Sequence, residues 1–150
     1  MRIRARFALL PFVTFAPALA NTPPATPVVT EPQLTRIVNP GDVHMECAPF
    51  ADADPADTHV CSDWEIWTVT PSERVWFTSC ISGVERVHTH LGDGAFLGSY
   101  AGRTELMPNT QYRLRVRHKD SSGDLATEWS AYGERLFTTG LASQLFPMNI

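Results

Sequence analysis

At 150 residues, 43% hydrophobic and 19% charged, the chain holds enough apolar mass for one globular domain. Its formal charge of −4 becomes −7 once Arg2, Arg4 and Arg6 at the start are set aside, because nine basic residues then face sixteen acidic ones. An acidic chain without a basic cluster is a poor nucleic-acid binder, since phosphate neutralisation needs grouped Lys and Arg.

The chain opens with those three arginines, continues with the mostly apolar run Phe7–Leu19 and reaches Ala18-Leu-Ala20. A basic start, a short apolar middle and an Ala-x-Ala ending predict a secretory signal peptide over residues 1–20, hence a secreted or periplasmic protein. The apolar run is too short to span a bilayer. Residues 21–36 carry Pro23, Pro24, Pro27 and Pro32. Such a segment is expected to stay extended and unpacked as a linker, with the globular part beginning near Ile37 or Asn39-Pro-Gly41.

Strand signals follow in order. Val43–Phe50 reads as a first strand, ahead of the acidic loop Ala51–His59. Cys61–Val69 is a second, with Trp64 and Ile66 on one face. Glu73–Ile81 is a third, with Val75 and Phe77 inward and Trp76 outward. Gly83 breaks the run before a fourth strand at Val84–Leu91. After the turn Gly92-Asp-Gly94, Phe96–Glu105 is a fifth. From Gln111 to His118, Tyr112, Leu114, Val116 and His118 alternate with Arg113, Arg115 and Arg117, the period of a half-buried strand. Just upstream, Leu106-x-Pro108-x-Thr110-x-Tyr112 has the form of a tyrosine corner, whose hydroxyl bonds backbone a few residues back. Asp120-Ser-Ser-Gly-Asp124 is a turn, and Glu134–Thr139 a last strand. Seven short strands with turns about every ten residues predict an all-β antiparallel β-sandwich.

Leu106-x-Pro-x-Thr-x-Tyr-x-Leu-x-Val116, then Trp129-Ser130 and Phe137-Thr-Thr139, resembles the last two strands of a fibronectin type III domain, with a looser likeness back to residue 41. The resemblance implies an immunoglobulin-like, seven-stranded sandwich over residues 37–140, with Trp64 as the core tryptophan of the second strand. It also implies that Arg115 and Arg117 stack with Trp129 in a structural Arg–Trp ladder, although the doubled Trp-Ser motif of cytokine receptors is missing. Residues 141–150 are apolar and lie beyond the last strand; they either fold back or lead into a further segment.

Three cysteines in an oxidising compartment suggest one disulfide and one leftover thiol. Cys47–Cys61 is the first pairing expected and Cys61–Cys80 the second. Asp52, Asp54 and Asp57 on one loop are candidate calcium ligands, although no EF-hand pattern is present. An exposed loop whose carboxylates satisfy their own backbone is the plainer reading. His88-x-His90 offers two same-face zinc ligands but needs a third, and spacing places neither His44 nor His59 nearby. Trp67, Trp76, Tyr100 and Tyr132 fall at outward or loop positions by strand parity, where they could stack on sugar rings or cover a neighbouring domain.

For catalysis the sequence offers no Gly-x-Ser-x-Gly, His-Glu-x-x-His or phosphate-cradling glycine loop. The expectation is a secreted non-catalytic binding or spacer module that takes a polysaccharide or protein ligand, set ahead of a larger extracellular enzyme. No cofactor is expected, calcium at the Asp52, Asp54 and Asp57 loop being the one candidate. The alternative is a small metal-dependent secreted protein or enzyme working through the Asp52–His59 loop.

Overall fold

The computed structural model describes residues 20–141, so the expected leader and the apolar tail lie almost wholly outside the described residues. The fold is all-β. Among the described residues nine strands form two sheets: β1 (Val29–Glu31), β2 (Ile37–Val38), β3 (His44–Cys47), β4 (Cys61–Thr68), β5 (Glu73–Ile81), β6 (His88–His90), β7 (Ala95–Phe96), β8 (Gln111–Lys119) and β9 (Gly133–Thr139). One sheet has the order β1-β3-β6 and the other β2-β9-β8-β4-β5-β7. All pairs are antiparallel except β2–β9. Among the described residues no helix is long and apolar enough to cross a membrane.

Both sheets feed one core. Val29, Val43, Met45 and Cys47 come from the β1–β3 side; Trp64, Ile66, Tyr112, Leu114, Val116 and Phe137 come from the larger sheet. In β8 the alternation expected from the sequence holds along the strand: Tyr112, Leu114, Val116 and His118 are buried while the arginines between them are partly exposed. Tyr112 is fully buried, and its hydroxyl accepts a hydrogen bond from Met107 N at 2.8 Å, closing the corner.

Strand parity fails at β5 for a local reason. Ile66 pairs with Trp76 but its neighbour Trp67 pairs with Arg74, so Val75 is the extra residue of a bulge. The bulge turns both Val75 and Trp76 into the core, where Trp76 is 0% exposed and its indole N–H donates to Leu91 O at 3.0 Å. Phe77, expected inward, lies half-buried opposite Glu65 with the Arg74 guanidinium over its ring.

Three other expectations are corrected. The expected fifth strand shrinks to Ala95–Phe96, and a 3₁₀ turn at Gly98–Tyr100 follows, with Gly98 at φ +60°. That turn carries Tyr100 inward, where its hydroxyl meets that of Tyr112 at 2.8 Å. The proline-rich segment packs instead of standing clear. Pro24, Pro27 and Pro32 are buried, Val29 joins the core, and Ala48 N donates to Val28 O at 2.8 Å. The disulfide joins Cys61 to Cys80, with Cα atoms 4.8 Å apart on the neighbouring strands β4 and β5. Cys47 cannot take that place, because it sits on the other sheet and points into the core as a free, buried thiol.

Candidate functional site

The outward arginines of β8 are matched by rings and acids. Arg117 lies 4.2 Å over the Trp129 ring and 5.0 Å from that of Tyr132; Arg115 lies 4.0 Å over Tyr132 and 5.5 Å from Trp67. The arrangement is a run of alternating rings and guanidiniums, each contact favourable by about 0.5–2 kcal/mol depending on exposure. Carboxylates complete it. Arg117 Nε and Nη2 both donate to Asp63 Oδ2, at 2.9 and 2.7 Å, and Arg74 Nη1 donates to Glu65 Oε1 at 2.8 Å. Arg115 Nε is 3.0 Å from Glu134 Oε1, an ion-pair contact without hydrogen-bond alignment. The four aromatics expected to form a ligand platform therefore do not come together. Trp76 and Tyr100 are core residues, and the rings of Trp67 and Tyr132 carry Arg115 on their faces.

On the smaller sheet the pairing of β3 with β6 sets His44 opposite His90 and Glu46 opposite His88. Between them Met45 and Thr89 are 0% exposed and anchor the two strands to the core, so the histidines and Glu46 share the outer face. Glu46 Oε1 is 3.0 Å from His44 Nε2 and 3.5 Å from His88 Nδ1. His88 Nε2 is 3.0 Å from His90 Nε2, and His90 Nδ1 is 3.5 Å from Asp42 Oδ1. The three imidazoles lie with centroids 4.5–5.1 Å apart. The third partner that His88 and His90 lacked in the sequence is thus His44, with Glu46 beside it. The one sequence signal for this was that His44-x-Glu46 repeats the two-residue spacing of His88-x-His90.

Glu46 and His88 also border an open cleft of about 820 Å³, together with Cys47, Phe50, His59 and Arg86. Cys47 Sγ is 3.4 Å from His118 Nε2. Burial, with the Glu46 charge adding, pushes the Cys47 thiol up to about 12. Burial and the neighbouring His59 pull His118 down to about 4. A protonated thiol beside a neutral imidazole is the reverse of the thiolate–imidazolium pair of a cysteine nucleophile.

The acidic loop regroups. Asp52 and Asp57 approach Asp120 from the loop after β8, with one carboxylate oxygen of each within 4.8 Å of the others, and Asp54 is not among them. Asp54 accepts from Thr22 N at 2.7 Å, and Asp52 Oδ1 accepts from Asp54 N at 2.8 Å. Burial works against the Asp120 carboxylate, but hydrogen bonds from Ser122 and Asn21 hold it below the usual range. Asp52 Oδ1 and both Asp120 oxygens thus serve backbone and side-chain donors already present, whereas Asp52 Oδ2 is buried without a hydrogen-bond partner. His59 is elsewhere, stacked on Phe50 at 5.0 Å and bonded to Ser62.

Among the described residues the donor sets are therefore an oxygen cluster partly engaged in hydrogen bonds and a nitrogen-rich cluster fixed on two paired strands. Compared with known proteins, the chain matches no protein-family model and no curated sequence.

Proposed function

We propose that this chain is a secreted, non-catalytic binding module with a fibronectin type III-like sandwich, and that its recognition face is the β1-β3-β6 sheet with the cleft beside it. The observation that carries the proposal is an asymmetry between the two outer faces. On the larger sheet the outward charges pair with one another and cover the rings. On the smaller sheet a cluster of histidines and Glu46 borders a cleft.

Support for the sandwich is topological. The order β9-β8-β4-β5-β7 parallels the G-F-C-C′-C″ sheet of immunoglobulin-like domains, and β1, β3 and β6 fall where strands A, B and E would lie. Val29–Glu31 then takes the first place, so Trp64 sits on the third strand of that plan and not the second. Cys47 and His118 meet between the two strands that antibody domains join by a disulfide. The Cys61–Cys80 bond and the Ala18-Leu-Ala20 ending support export. The alternative through the Asp52–His59 loop draws less support, because Asp54 and His59 turn away from Asp52 and Asp57.

The test is amide chemical-shift mapping of the ¹⁵N-labelled mature chain with cellohexaose, chitohexaose and a set of short acidic and basic peptides. Shifts should gather on β3, β6 and the cleft. Shifts centred on Trp67 and Tyr132 would move the recognition face to the other sheet, and silence with every probe would reduce the module to a spacer.

A further inference from the structure

We infer that the outer face of β3 and β6 is a binding site for a divalent transition-metal ion of the zinc–copper series. His44 Nε2, Glu46 Oε1 and His88 Nδ1 act as ligands, and His90 holds His88 in place. The inference names a ligand class for the recognition face proposed above and rests on that reading only for its biological use.

The donor types come first. Two imidazoles and one carboxylate are the ligands zinc and copper prefer, whereas calcium takes six to eight oxygens. Three protein ligands with one position left open is a common arrangement for zinc. Two donors on a tetrahedral zinc ion, each about 2.0–2.1 Å from the metal, stand about 3.3 Å apart. The observed separations from Glu46 Oε1, 3.0 Å to His44 Nε2 and 3.5 Å to His88 Nδ1, bracket that value, and all three ligand atoms lie within 4.8 Å of one another.

Positioning comes second. A metal-bound imidazole characteristically donates its remaining N–H to a fixed acceptor, which sets its tautomer and orientation. With Nδ1 on the metal, His88 Nε2–H points at His90 Nε2, 3.0 Å away, and His90 Nδ1 faces the Asp42 carboxylate at 3.5 Å. The frame beneath is fixed. Asp93 Oδ2 accepts from Thr89 Oγ1 at 3.1 Å and from His90 N at 2.8 Å, which pins the end of β6.

The open position has a direction. Glu46 and His88 are shared between this site and the cleft, so an ion held there would sit at the cleft's edge.

Titration of the metal-stripped mature chain with Zn²⁺ by calorimetry, and with Co²⁺ by visible absorption, tests the assignment. Binding in the micromolar range is expected, with tetrahedral-type cobalt bands. Affinity should fall at least about tenfold in His44→Gln, Glu46→Gln and His88→Gln. His90→Gln should weaken binding less and keep the cobalt bands, and Asp57→Asn should change nothing. Calcium at millimolar concentration should neither bind there nor compete. These side chains are surface residues, so the variants should keep the parent melting temperature without metal. Absence of zinc, cobalt and copper binding would overturn the site, as would full affinity in His88→Gln or loss of binding in Asp57→Asn. His90→Gln with parental affinity would remove the holding role alone. Saccharide or peptide shifts on β3 and β6 without metal binding would leave the recognition face standing and the metal refuted. Metal binding with those shifts on Trp67 and Tyr132 would do the opposite.

Discussion

Single side chains at the core boundary account for much of what is specific here. Tyr112 accepts from Met107 N and shares a contact with the Tyr100 hydroxyl inside the core. Tyr112→Phe takes the acceptor from the Met107 N–H and the partner from the buried Tyr100 hydroxyl, and should destabilise by about 1–3 kcal/mol in urea denaturation. A change near zero would remove the corner. His59 and His118 make a second prediction, with centroids 4.3 Å apart. Burial lowers both to about 4, helped by Arg86 for His59 and by His59 for His118. The unfolded chain, with ordinary imidazoles near 6.5, binds more protons between those values. Stability is therefore fully present above about pH 6.5 and is lost as pH falls toward 4. For the 1%-exposed His118 the loss is on the order of 3 kcal/mol. Chemical denaturation across that window checks it, and His118→Gln should flatten the slope.

At the scale of elements, the segment before β2 shows how composition can mislead. Four prolines read as a spacer, yet every second or third residue from Pro24 to Val29 is buried. The contact is close: a Cβ on Gly133 would run into the Pro27 carbonyl. Gly133→Ala should therefore cost roughly 1–3 kcal/mol, the usual penalty of overpacking. Most of that cost should vanish in a chain shortened to begin at Val28. An equal cost in both chains would mean that Pro27 is not the obstacle. Strand β8 was legible because its period is local, and β5 had the right limits and an inward Val75 but the wrong places for Trp76 and Phe77. A bulge is set by the pairing of β5 with β4, so nothing within Glu73–Ile81 announces that Val75 is the extra residue.

At the scale of the molecule, two faces with opposite characters emerge from one chain of modest charge. The larger sheet neutralises its own arginines with Asp63, Glu65 and Glu134, so what looks like a basic stripe in the sequence is an internally matched surface. The smaller sheet gathers His44, Glu46, His88 and His90 from strands more than forty residues apart. The sequence by itself determined the all-β class, the limits and inward face of β8, the tyrosine corner and the fully buried Trp64, because each depends on local period or a short motif. Only the tertiary structure decided that Cys80 and not Cys47 bonds Cys61, that Trp76 and Tyr100 are core, and that His44 and Glu46 stand beside His88. Those outcomes depend on which strands become neighbours and in what register, and register is set by contacts between residues far apart in the chain.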